Sequence, residues 1–148
     1  ALIYSYAQVL FTQAEAAKQG WIAGGDALAA THYANAIKAS METYGVYNAG
    51  TYAAYILQAD VAYDATKGLE QIMTQKWVHL YLNGYESWAD WRRTGFPVLA
   101  AAPNGNQSTI PRRQGYPTNE GSINGKSYTE AVARQGADNL TTKIWWDK

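Results

Sequence analysis

Leu69–Gly95, LEQIMTQKWVHLYLNGYESWADWRRTG, decides the fold of this chain and holds three of its six tryptophans. Leu69, Ile72, Met73, Trp77, Leu80, Tyr81, Gly84, Trp88 and Trp91 recur at steps of three and four, the spacing of one apolar stripe along a helix. No other stretch is as strongly periodic. Arg92 and Arg93 fall in the last turn, where cations suit the negative helix end, and Gly95 and Pro97 supply an end residue and a stop. Asn83-Gly84 is the weak point, so the helix is expected to kink or break briefly there.

Upstream, Ile3, Ala7, Leu10, Ala14 and Ala17 alternate steps of four and three and predict a tightly packed helix ended by Gly20. Asp26 is the expected N-cap of a second helix, whose inner stripe is Leu28, Ala29, His32, Tyr33, Ala36, Ile37, Met41 and Tyr44. Two amphipathic helices joined by a short Gly-rich turn make an antiparallel hairpin of the tetratricopeptide (TPR) type over residues 1–45. Such pairs gain stability by stacking on further pairs, so the isolated chain is expected to be marginal. The start at Ala1 rather than Met, with no N-cap read ahead of the first helix, predicts a piece of a longer protein.

Residues 46–95 are expected to be helical, with Thr51 capping a short helix and Asp60–Asp64 as a connector. Residues 96–126 hold all four prolines and predict a long irregular loop, with Ile110-Pro111 and Tyr116-Pro117 as extended pieces. Residues 127–148 are read as a short helix opened by a Ser127/Glu130 capping box, then a polar tail. Trp145 and Trp146 in that tail are expected on opposite sides of an extended strand.

Twelve basic and twelve acidic side chains cancel, which argues against a nucleic-acid partner or an anionic lipid surface. The absence of cysteine removes disulfides and thiolate chemistry. The apolar runs are too short to cross a bilayer, and any targeting signal is expected outside this sequence. Aromatic residues make up 14% of the chain, mostly Tyr and Trp, which suits buried networks, interfaces and sugar platforms alike.

Glu86 and Asp90, four residues apart, are spaced as an acid and base pair could be, but Arg92 and Arg93 beside them favour ion pairing. These four are read as an ionic latch, and Trp77, Trp88 and Trp91 as core. His32 and His79 lack companions at ligand spacing, so they are read as core or interface residues, with no metal site. No nucleophile motif surrounds any Ser or Thr, and Asn104-Gly105-Asn106 is a turn signal. Arg112 and Arg113 are expected to anchor the long loop onto the helical body. No catalytic residue and no cofactor is expected, and the exposure of Trp21, Trp145 and Trp146 is left open.

Three ordered segments, QKWVHLYLNGYESWADWRRTGFP, IPRRQGYPTNE and DNLTTKIWWDK, together resemble the C-terminal part of the SusD/RagB-like outer-membrane lipoproteins of Bacteroidetes. The match is to the branch with a YExWAxWRRTGxP signature, and the helical hairpin is similar as well. The resemblance implies a mainly α, SusD-like α-superhelical architecture: the TPR-like hairpin, a long kinked Trp-rich helix and a long irregular loop. It further implies a several-fold longer protein, anchored at the cell surface of the outer membrane through an N-terminal lipid that this chain lacks. Such proteins sit over a TonB-dependent, SusC-like transporter and bind oligosaccharides or similar nutrients without catalysis. None of the family's ligand-contacting residues is carried over to a position here. The competing readings are a TPR-type protein interaction scaffold and a glycoside-processing enzyme domain.

Overall fold

The computed structural model describes residues 4–103 and 109–147. Among them the chain forms seven helices and no strand. It divides into two compact units, Ala1–Trp91 and Arg92–Lys148. The first unit contains α1 (Tyr6–Lys18), α2 (Gly25–Thr43), α3 (Ala49–Tyr55), α4 (Gly68–His79) and most of α5 (Gly84–Thr94). The second contains the end of α5, α6 (Glu120–Ile123) and α7 (Gly125–Gln135).

The core of the first unit follows the predicted stripes. Ala7, Leu10, Ala14 and Ala17 of α1 are buried, joined by Phe11, and Ala29, Tyr33, Ala36 and Ile37 of α2 are buried as well. Small residues at these positions let α1 lie close to α2, and α4 packs on both. Phe11 and Ile72 are among the largest fully buried side chains, each contributing about 1.5–3 kcal/mol over the exposed state. Ile3 of the predicted stripe, like the Asn104–Asn106 turn, lies outside the described residues.

Several helix ends differ from the sequence reading, each for a local reason. α1 does have an N-cap. The Ser5 hydroxyl accepts from the Gln8 N–H at 3.1 Å, and the Ser5 N–H donates to the Gln8 side chain at 2.8 Å, a complete capping box. Asp26 is not a cap, because its Oδ1 is taken by Lys18 at 2.7 Å and Tyr63 at 2.8 Å. The chain enters α2 through Gly24 and Gly25 at φ +124° and +53°, and a Cβ on Gly24 would sit 2.6 Å from that of Leu28. Asn48, not Thr51, caps α3 by accepting the N–H groups of Gly50 and Thr51. Ser127 lies inside α7, whose first turn bonds back to the Asn124 carbonyl at 3.0 Å from Tyr128.

The organising stretch is two helices rather than one. The break expected near Asn83 spans Leu80–Asn83, where Leu82 adopts a positive φ of 67° and Tyr44 donates its hydroxyl to the His79 carbonyl at 2.6 Å. The segment 96–126, read as loop throughout, includes α6 and the first residues of α7. Trp145 and Trp146 occupy a turn closed by the Asp147 N–H on the Ile144 carbonyl at 2.9 Å, not a strand.

Candidate functional site

α4 departs most instructively from its apolar pattern. Its buried face runs through Gly68, Gln71, Ile72, Met73, Lys76 and His79, so three inward positions carry strongly polar side chains. Trp77, expected in the core, is 41% exposed in this chain. At about 100° per residue it stands roughly 140° from Ile72, while Lys76 and His79 stay near Ile72's side of the helix. Tyr81, also counted on the stripe, is exposed. Among the other stripe tryptophans, Trp91 is buried and Trp88 is half-buried.

Each inward polar group is satisfied by a partner outside α4. Gln71 accepts from the Asp64 N–H and donates to the Ala62 carbonyl, both at 2.8 Å, and so fixes the connector ahead of α4. The Lys76 ammonium meets the Asp90 carboxylate of α5 at 2.6 Å, with both side chains largely out of solvent. Lys76 is not among the expected latch residues Glu86, Asp90, Arg92 and Arg93, and the apolar stripe passes beside it at Trp77. Glu86 and Arg93 are half-buried, with Glu86 in the first turn and Arg93 in the last turn of α5.

His79 is fully enclosed, with its Nε2 2.6 Å from the Ser5 hydroxyl and its Nδ1 2.9 Å from the Ser40 hydroxyl. Burial pushes this imidazole below its ordinary value, and the Lys76 charge adds to the shift. A serine beside a histidine invites comparison with a nucleophile and its base. Here the Ser5 hydroxyl is buried and already accepts the Gln8 N–H as a helix cap, so the pair serves packing. His32, the second histidine, is half-buried on α2. Among the described residues no three His, Cys, Asp or Glu side chains group as metal ligands.

The second unit brings the signature segments together. Arg92 donates to the Arg112 carbonyl at 2.9 Å, and its guanidinium stacks 4.5 Å from the Trp146 ring centre. Arg112 pairs with Asp147, and its N–H donates to the Leu140 carbonyl at 2.6 Å. Asp138 is a hub: its carboxylate accepts from the Tyr116 N–H at 3.1 Å, the Tyr128 hydroxyl at 3.2 Å and Arg113 at 3.4 Å. Burial first, then the Asp138 bond, pushes the Tyr128 phenol up. Arg112 and Arg113 thus meet carboxylates of the C-terminal tail, where the sequence reading had them anchoring the loop on the helical body. Asn139 adds a local knot, its Oδ1 accepting from the N–H and hydroxyl groups of Thr141 and Thr142 at 2.8–3.0 Å.

Aromatic rings available at the surface of this chain lie elsewhere. Trp145 is 94% exposed while its neighbour Trp146 is covered by Arg92, and Trp21 is exposed at the α1–α2 turn. Tyr81 and Tyr85 are exposed around the α4–α5 break. No described helix is long and apolar enough to cross a membrane.

A helical hairpin followed by a signature cluster of WRRTG, IPRRQGYP and DNLTTKIWWD residues has a counterpart among known proteins. The SusD-like family model described as "starch-binding associating with outer membrane" matches residues 1–117. The chain belongs to the SusD-like family. The SusD-like structure from Bacteroidetes AC2a superposes with a TM-score of 0.86 at 35% identity, covering 97% of this chain and 30% of that one. A chitin-binding SusD homologue from Flavobacterium johnsoniae gives a TM-score of 0.75 at 28% identity, over 96% of this chain and 36% of its own. A SusD homologue from Bacteroides uniformis gives 0.75 at 28%, over 96% and 36%. The present chain therefore spans about a third of the length of these SusD-like structures. No curated protein matches it in sequence. The all-helical fold agrees with these relatives.

Proposed function

We propose that this SusD-like chain is part of a non-catalytic, lipid-anchored glycan- or nutrient-binding protein at the outer-membrane surface, which hands its ligand to a TonB-dependent, SusC-like transporter. The observation that carries this reading is the starch-binding, outer-membrane family match over residues 1–117, supported by the chitin-binding homologue of the same fold. Exposed Tyr and Trp rings, Trp145 above all, provide faces of the kind that stack on sugars. Asp90, one of the two carboxylates spaced like an acid and base pair, is held against the Lys76 ammonium at 2.6 Å, which supports a structural role for it.

Native affinity electrophoresis of the full-length protein through gels containing starch or chitin oligosaccharides tests the reading. Retardation by one glycan, with no reducing ends released over time, is expected. Steady release of reducing ends would instead assign a glycoside-processing enzyme. Indifference to all glycans together with capture of one protein partner would favour a TPR-type scaffold. Co-purification from outer membranes with a TonB-dependent transporter checks the partnership separately.

A further inference from the structure

Among the buried groups that the proposed function leaves unused, His79 is the one whose surroundings change with its proton. Its ring closes a contact between three elements: Ser5, which caps α1, Ser40 on α2, and α4 itself. In the neutral ring one nitrogen donates and the other accepts, so one serine hydroxyl accepts a hydrogen bond from the ring and the other donates one to it. Either neutral tautomer satisfies this chain of bonds. A charged ring has two N–H donors, so the serine that had been donating must swing its own O–H away into buried surroundings. At Ser5 that rotation falls on the oxygen that also caps α1 through the Gln8 N–H at 3.1 Å.

The charged and titratable groups on the surrounding elements do nothing to welcome the extra proton. Lys76 lies one turn back on α4, with Asp90 of α5 held against its ammonium at 2.6 Å. From α2 the Tyr44 ring meets the imidazole edge-on at 5.8 Å, while Lys38 and Glu42 pair with each other on the exposed side. From α1 Phe11 lies 6.1 Å away, and Glu15 and Lys18 follow further on, toward the start of α4, where Lys18 bonds the Ala65 carbonyl. His32 is two turns before Ser40 on α2. The ring's hydrogen bonds are to hydroxyls alone.

We propose that His79 is a pH-sensitive clasp: neutral, it fastens the first turn of α1 to α2 and α4, and protonated, it releases that turn. The direction follows from linkage. An unfolded histidine takes up its proton near pH ~6.5, whereas the enclosed native ring does so only at lower pH. The native form binds fewer protons in that interval, so the clasp is at full strength above it and weakens as pH falls below ~6.5.

Amide hydrogen exchange on the intact protein, followed from about pH 7.5 to about pH 5 and corrected for intrinsic exchange, reads the clasp. Protection of the Gln8 and Val9 amides is expected to fall several-fold toward the acid end, because the closed form is the one that excludes the proton. His79→Gln keeps an amide donor and acceptor between the two serines but cannot titrate, so its protection is expected to stay level. Unchanged protection in the wild type, or an equal loss in His79→Gln, overturns the proposal. If His79→Gln does not fold, NMR titration of the wild-type ring decides. A midpoint below the ordinary histidine range, matched by loss of protection at Gln8 and Val9, supports the clasp; an ordinary midpoint or unmoved amides overturns it.

Discussion

Replacing Lys76 by methionine would test whether the polar face of α4 is a structural necessity. The Lys76 and Asp90 side chains are 6% and 15% exposed and meet at 2.6 Å. Methionine keeps most of the stem but leaves the Asp90 carboxylate in a site built to face a cation. Removing one partner of a buried pair costs about 3–5 kcal/mol, and the partial exposure of Asp90 argues for about 3. For a chain of this length that lowers Tm by roughly 6–12 °C, at about 2–4 °C for each kcal/mol. The double variant Lys76→Met/Asp90→Leu removes both charges and is expected to recover about 2 kcal/mol, since well-packed apolar groups replace such pairs at small cost. Urea unfolding followed by circular dichroism gives both values and their coupling. A cost below about 1 kcal/mol for Lys76→Met would show that the pair behaves as a surface ion pair. A double variant as unstable as the single one would show that α4 needs the charges themselves.

Ser5→Ala removes the α1 cap and one partner of His79 together, and should cost about 2 kcal/mol in the same urea experiment. Gly68→Ala places a Cβ 2.5 Å from the Tyr63 hydroxyl, so the ring must move off Asp26; a loss of about 1–3 kcal/mol is expected, along with faster amide exchange at the start of α4. Asp138→Ala leaves Tyr116, Tyr128 and Arg113 without their shared acceptor, and limited proteolysis between residues 109 and 147 should accelerate several-fold over wild type. Trp145→Ala should leave stability unchanged within about 0.5 kcal/mol, yet weaken retention on the glycan that the wild-type protein binds.

The hairpin was readable because its helices obey one rule, small or apolar residues at steps of three and four: Ala7, Leu10, Ala14, Ala17, Ala29, Tyr33, Ala36 and Ile37 are buried, while Leu28, His32 and Met41 of α2 are half-buried and Tyr44 is exposed. α4 obeyed a different rule. Its inward polar positions are set by partners outside the helix, at residues 5, 40, 64 and 90, which an apolar pattern does not register, so hydrophobic periodicity placed Trp77 inside and passed over Lys76. The caps were misread for different reasons. Ser5 ahead of α1 had its Gln8 three residues on, the local spacing of a capping box, whereas Asp26 at the start of α2 is held by the distant Tyr63 and the preceding helix's Lys18. In the second unit Arg112 and Arg113 were legible as anchors, but the carboxylates they meet, Asp147 and Asp138, lie 35 and 25 residues onward.

Because Arg92, Arg112 and Arg113 each find a partner downstream, the second unit has a direction in time. During synthesis Arg92 leaves the ribosome before Arg112, and Arg112 waits 35 residues for Asp147. Until that point Arg112 is without the Asp147 carboxylate, and until the residue before Asp147 is made Arg92 is without the Trp146 ring. This part of the chain can reach its final arrangement only after Asp147 has been made, and a folding helper would meet it as an open segment until then.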